Sequence, residues 1–283
     1  MDENVRSIIE QELHAYGLAG AAAEPIREKG GVFVARVRTG DGPRILKAFE
    51  DLPSRREIGN YKLLASLGVP VLRIDGCTDR SLLMEDIEAS PILRLGTESD
   101  IHDGDVIRAL ARWYRTLHER GEGYVRENGS GMYDEWDLFT SDGIDLLKVR
   151  LGKDFEVTLE DIKARFGDVR RRMDEAPKTL CYNDFYYTNM AVAKDKSHAL
   201  MFDYNLLGKG CCINDIMNVT YWFTPEEREL FISEYGGIDE ELAALQREIS
   251  PVITLISAVR RGIFPDWAKE AENELAALGS VRE

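Results

Sequence analysis

The sequence predicts an α+β chain of two lobes. Residues 1–86 read as a small antiparallel sheet carrying one key helix, and residues 87–283 as a larger, mainly helical lobe. Three observations carry that reading. Alternating apolar runs with turn signals fill the first third. Apolar residues at helical spacing dominate from about residue 87 onward. A short hairpin pattern interrupts the helices and is flanked by Asp184, Asn189 and Asp203.

In the first lobe, Val5, Ile8, Ile9 and Leu13 share one face of a helix over residues 3–16, which Gly17 stops. After the glycine pair Gly30-Gly31 the chain alternates as a strand. Asp41-Gly42 signals a hairpin turn, and Arg-Ile-Leu-Lys-Ala-Phe resumes the alternation. A helix is predicted from near Ser54 through Glu57, Tyr61 and Leu64 to Gly68. Strands at 69–74 and 82–84 are expected to flank a turn at Asp75-Gly76, and the lobe boundary falls in 84–89.

In the second lobe, Ile107, Leu110, Trp113 and Leu117 define a helix over 106–120 with Gly121 at its end. Another is expected over 159–175. The hairpin pairs 190–192 with 199–202. Thr224-Pro225-Glu226-Glu227 is a capping box with proline at the first helical position. Helical patterns continue over 242–249, 252–260 and 266–278.

Composition narrows the function classes. With 44% hydrophobic and 31% charged residues, the chain reads as a folded globular protein. No apolar run approaches the roughly 20 residues that span a bilayer, so no membrane partner is expected. The acidic, amphipathic N-terminus resembles neither a secretory nor a transit signal, and a cytoplasmic location is the expectation. Cys77, Cys181, Cys211 and Cys212 form no C-x-x-C motif and are expected to be free thiols. The four histidines have no zinc-ligand spacing. The net charge is −15, of which residues 1–86 hold only −2, leaving −13 for residues 87–283. That balance argues against a nucleic-acid partner and favours a cationic ligand.

The chemistry lies in a series of residues. Asp184 and Asn189 stand five apart, and Asp203 follows the hairpin. Phosphoryl transfer needs a carboxylate to orient the attacking hydroxyl and hard oxygen donors to hold Mg²⁺ on the phosphates. Asp184 fits the first role, with Asn189 and Asp203 as metal ligands. Lys47, ending a strand, would pair with the phosphates of ATP or GTP, and Glu57 in the next helix would hold that lysine. Each residue alone has an ordinary structural explanation; their order along the chain makes the case.

In that order the chain resembles the aminoglycoside phosphotransferase and choline-kinase-like family of the protein-kinase-like fold, from about residue 30 to 219. The likeness rests on YKLLASLGVPVLRI after Glu57, LLMEDI at 82–87, WYRTLH at 113–118, CYNDFYYTN at 181–189, MFDYN at 201–205 and Asp215-Ile216. It implies a bilobal kinase with Gly30 and Gly31 near the phosphates. The hinge backbone at Glu85 and Ile87 would lie on the base, and Asp215 would brace the catalytic loop. Tyr182 and Asn183 replace the family's His-Gly, and Tyr186 and Tyr187 are bulkier than its norm. The acceptor is expected to be a small cationic molecule, aminoglycoside-like. Candidate contacts are Tyr204, Tyr221, Trp222, Glu226, Glu227, Glu234, the acids at 239–241 and Trp267. A metabolic kinase for choline, an amino alcohol or a sugar is the alternative, and a nucleotide-binding pseudokinase a third reading.

Overall fold

The computed structural model describes residues 3–280. Its helices are α1 (Glu3–Ala15), α2 (Arg56–Ser66), α3 (Gly104–Asn128), α4 (Ser141–Leu151), α5 (Glu156–Ala164), α6 (Phe166–Glu175), α7 (Cys212–Thr220), α8 (Pro225–Tyr235), α9 (Glu240–Arg260) and α10 (Asp266–Ser280). Its strands are β1 (Ala23–Lys29), β2 (Val32–Thr39), β3 (Gly42–Phe49), β4 (Ile74–Cys77), β5 (Ser81–Glu85), β6 (Leu93–Leu95), β7 (Thr179–Cys181), β8 (Met190–Ala193), β9 (Ala199–Met201) and β10 (Gly208–Gly210). Contacts divide the chain into two compact units. The first holds the described residues up to Arg120 with Asp184–Leu207 and Val219–Gly236. The second holds Gly121–Asn183, Gly208–Asn218 and the described residues from Gly237.

The first unit is built on an antiparallel sheet in the order β1-β2-β3-β5-β4. Apolar residues alternate along β2 and β3, so one face meets α1, where Val5, Ile8, Ile9 and Leu13 bury against Phe33, Ala35, Val37, Leu46 and Ala48. A second small sheet, β6-β8-β9, belongs to the same unit. In the second unit Trp136 is fully buried, and its indole Nε1 donates to Gln246 Oε1 at 2.8 Å. Lys178 lies 4.2 Å over the same ring and pairs with Asp134 at 3.1 Å.

Several elements differ from the expectation. The sequence reading passed over β1, a charged, proline-containing edge strand exposed along nearly its whole length. The hairpin loop is Gly40-Asp41, because Thr39 pairs with Gly42, which opens β3. Asp75-Gly76 lies inside β4 at a register shift rather than in a turn. Residues 159–175 form two helices with Arg165 between them. Pro251 does not divide the C-terminal pattern; α9 runs through it as one helix of 21 residues. That helix is also long and apolar enough to cross a bilayer, contrary to the expectation that no such segment exists. It serves as a core helix, with Ile249, Val252, Leu255 and Ile256 buried.

Gly121 corrects the reading most instructively. It does not end its helix, which continues to Asn128. A Cβ at Gly121 would stand 2.6 Å from Leu180 Cβ and 2.7 Å from its backbone nitrogen, so the glycine lets α3 approach β7. An exposed Gly→Ala change within a helix gains up to about 1 kcal/mol. Here overpacking against strand backbone costs more, so Gly121→Ala is expected to destabilise by about 1–3 kcal/mol in urea unfolding. A stabilised variant would contradict the close approach.

Candidate active site

Lys47 is the centre of the site. It lies on β3, paired with Val34 on one side and Leu82 on the other, so the strands determine where its stem points. Its ammonium is nearly buried and makes two ion pairs, to Glu57 Oε1 at 2.7 Å and Asp203 Oδ1 at 2.9 Å. Glu57 sits in the first turn of α2 with its side chain 1% exposed. A buried ammonium is costly unless paired, and two carboxylates meet that cost. Burial opposes protonation of Lys47, but Glu57 and Asp203 outweigh it and hold its pKa above the usual lysine value. Burial pushes Glu57 up, to about 7, against the pull of the lysine and with the charge of Asp203 adding to the rise.

The β8–β9 hairpin explains how Asp184, Asn189 and Asp203 come together. Met190 pairs with Met201, and the Phe202 N–H donates to the Asn189 carbonyl at 2.9 Å. The residues flanking the hairpin are therefore neighbours. Asn189 Nδ2 reaches the Asp184 carbonyl at 3.5 Å, leaving its Oδ1 with no protein partner among the described residues. Asp203 has left-handed backbone, φ 65° and ψ 63°, a conformation that Asp tolerates better than most side chains. The turn after it is held by Asn60, whose Nδ2 donates to the Tyr204 carbonyl at 2.7 Å. Tyr204 is fully buried, edge-on to Tyr61 at 4.6 Å and stacked at 6.5 Å on Trp113. It supports the Asp203 turn and offers no surface to an acceptor, contrary to the sequence reading.

Asp184 is half-buried. Burial raises its pKa to about 6, with the charge of Asp203 adding to the rise and Lys47 opposing it. Asp184 and Asp203, beside the Asn189 amide oxygen, form an all-oxygen donor set suited to a divalent cation. The second unit holds the residues just before Asp184. Asp215 is buried on α7, and its two oxygens accept the N–H groups of Tyr182 at 2.7 Å and Asn183 at 2.8 Å. Asn183 has φ 63°. That explains its replacement of glycine, since both residues occupy left-handed backbone readily. Tyr182 is fully buried.

A cavity of about 700 Å³ in the first unit is lined by Gly30, Lys47, Glu57, Glu85, Ile87, Asp184, Asn189 and Asp203. Gly31 is not among its lining residues. The glycine pair is a tight two-residue turn between Lys29 and Val32, with φ of 57° and 75°. Sequence reasoning missed Arg36, whose Nε meets Asp86 at 2.5 Å and whose Nη2 meets Glu88, tying β2 to the hinge. The signal was present, since Val32, Val34 and Arg36 recur at the strand period and all line the cavity. Among the proposed acceptor contacts, Glu227 caps α8 and pairs with His102, and Glu234 pairs with Arg112.

The sequence matches the model of the phosphotransferase enzyme family over residues 25–247. The chain therefore belongs to that family, and family and fold together define a small-molecule phosphotransferase acting on hydroxyl groups. A comparison with curated protein sequences returned no match. Among solved structures, the chain is similar to the GDP and kanamycin complex of APH(2")-IIia (11% identity, all of both chains, TM-score 0.70). It is also similar to the choline kinase LicA from Streptococcus pneumoniae (16% identity, 96% of this chain and 98% of that one, TM-score 0.65). A third is the macrolide 2'-phosphotransferase MphH from Brachybacterium faecium (18% identity, 98% of each chain, TM-score 0.65). These likenesses show the protein-kinase-like fold.

The raised carboxyls have a consequence for stability. A carboxyl whose folded pKa lies above its unfolded value favours the fold at low pH, and that contribution is lost as pH rises through the folded value. For Asp184 the window runs from the ordinary aspartate value of 3.8 to about 6. In metal-free protein the stability of wild type relative to Asp184→Asn should therefore fall across that window in thermal melts. A difference that stays constant with pH would contradict the burial of this carboxyl.

Proposed function

We propose that the chain transfers the γ-phosphate of ATP or GTP to a hydroxyl of a small cationic molecule, with Asp184 as the carboxylate that handles the acceptor hydroxyl. The observation that carries this is the Lys47 ammonium shared by Glu57 and Asp203 inside the cavity that Asp184 and Asn189 also line. Solved structures of similar fold hold ADP with spectinomycin and GDP with kanamycin, which supports a nucleotide donor here.

Each residue's part follows from its chemistry. Lys47 offers a positive charge to the donor phosphates, and Glu57 keeps it in place when Asp203 turns toward other partners. Glu85 and Ile87 line the end of the cavity where the hinge backbone would meet the base, so either purine fits. Asn189 and Asp203 would hold Mg²⁺, which when bound supplies charge neutralisation across the phosphates. Asp184 accepts a hydrogen bond from the attacking hydroxyl, orients it, and receives its proton late in transfer. Its raised pKa of about 6 makes it a better proton acceptor than an exposed aspartate. No residue is required to carry the phosphoryl group covalently.

The acceptor class is supported by charge. Residues 87–283 carry nearly the whole negative excess, which suits a cation such as an aminoglycoside-like antibiotic or an amino alcohol. A coupled phosphotransfer assay with Mg²⁺, ATP and GTP against aminoglycosides, choline, amino alcohols and sugars tests the reading. Asp184→Ala should reduce turnover of the accepted substrate by about 10²–10⁴-fold while leaving nucleotide affinity close to wild type. Turnover that survives the substitution would remove Asp184 from the reaction, and absence of both turnover and nucleotide binding would refute the kinase reading.

A further inference from the structure

The second unit holds a cavity of its own, about 350 Å³, which shares no lining residue with the nucleotide cavity. One wall is α3, where Glu122, Val125, Arg126 and Gly129 stand at the spacing that puts them on one helix face. The other wall is Pro177 and Lys178, just before β7, and Lys209 on β10. β10 pairs antiparallel with β7, and Lys209 stands opposite Leu180. Opposite residues share a sheet face, and Leu180 is the residue that Gly121 of α3 approaches. The register therefore turns Lys209 toward α3.

Three lining residues are cations and one is a carboxylate, within a stretch, residues 87–283, whose balance is −13. Their neighbours neutralise them unequally. Lys178 pairs with Asp134 at 3.1 Å and lies over the Trp136 ring. Arg126 meets Glu122 at 3.6 Å with both side chains more than half exposed, a pair worth at most about 1 kcal/mol. Lys209 is half-buried and makes no ion pair or side-chain hydrogen bond among the described residues. Its backbone is held firmly, because its N–H donates to the Tyr133 carbonyl at 2.8 Å. Gly208 lets the chains come that close, since a Cβ there would stand 2.3 Å from the same oxygen. An ammonium is thus fixed in a cavity without a counter-charge of its own.

The cations come from a helix, a strand and the segment before another strand, so their donors converge from different directions. A phosphate group offers three oxygens spread in that way, whereas a carboxylate offers two in one plane. Val125 and Pro177 add apolar surface for an organic body, and the volume falls within the range of small-molecule sites. Both strands lead toward the catalytic loop. β7 runs into Tyr182 and Asn183, and β10 leads to α7, whose Asp215 accepts both of their N–H groups.

We infer that this cavity is an effector site for a small phosphate monoester, held by Arg126, Lys178 and Lys209, and that its occupancy steadies the segment anchored on Asp215. No residue of the nucleotide cavity takes part, so the inference stands apart from the phosphotransfer reading.

Calorimetric titration with glycerol 3-phosphate in the absence of nucleotide tests it. Wild type should bind with a Kd of about 1 mM or tighter at low salt, and more weakly as salt rises. Glycerol and glycerate, which lack the phosphate, should bind at least about tenfold more weakly. Lys209→Met and Arg126→Met should each weaken glycerol 3-phosphate binding by about tenfold, and Lys209→Arg should retain it. Arg126 is exposed on a helix surface, so its loss leaves the fold intact. Hydrogen exchange at the Tyr182 and Asn183 amides should slow with glycerol 3-phosphate in wild type, and Lys209→Met should lose that slowing. Absence of binding, or binding that both methionine variants leave unchanged, would overturn the site. Equal binding of glycerate would overturn the choice of phosphate. Binding without slower exchange would overturn the effector role.

Discussion

An ammonium group nearly out of water organises this protein. Lys47 must find negative charge, and its two partners come from separate parts of the chain, Glu57 ten residues on and Asp203 another 146 beyond that. Neither partner is placed by its own local structure alone. β3 directs the lysine, α2 delivers the glutamate, and the β8–β9 hairpin with the left-handed backbone at Asp203 delivers the second carboxylate. The aromatic stack of Tyr61, Tyr204 and Trp113, with the Asn60 amide, holds the Asp203 turn. Much of the first unit can be read as the support this one charge requires.

The same triad sets the electrostatics around Asp184. Burial raises Asp184, with the charge of Asp203 adding to the rise and Lys47 opposing it. A cation arriving with the donor phosphates would relieve the repulsion, so an energetic cost in the free protein becomes affinity for a charged donor. The loop carrying Asp184 is held separately by Asp215, which accepts two consecutive backbone N–H groups at Tyr182 and Asn183. Asn183 keeps the backbone geometry that glycine would provide.

The order of chemical residues was legible because strand and helix periods place Lys47 and Glu57, and a hairpin pattern necessarily joins Asn189 to Asp203. The family match over residues 25–247 and the fold bear that reading out at the level of class. Other features had no local signature. Gly121 looks like a helix stop until the strand beside it is known, and Pro251 looks like a break until the surrounding packing is. β1 escaped notice because an edge strand can be polar on both faces. Tyr204 and Trp222 are both aromatics of the C-terminal half, yet one is buried support and the other exposed surface. Sequence spacing alone does not distinguish them.

Calorimetric titration of the wild-type protein with ATP and with GTP, each with and without Mg²⁺, tests the central claim most directly. If the carboxylates around Lys47 form a donor-phosphate site that takes its nucleotide with a divalent cation, at least one nucleotide will bind with Mg²⁺ at least about tenfold more tightly than without it, a difference of roughly 1.4 kcal/mol or more. Binding that is absent, or equally tight in the presence of a chelator, would contradict it.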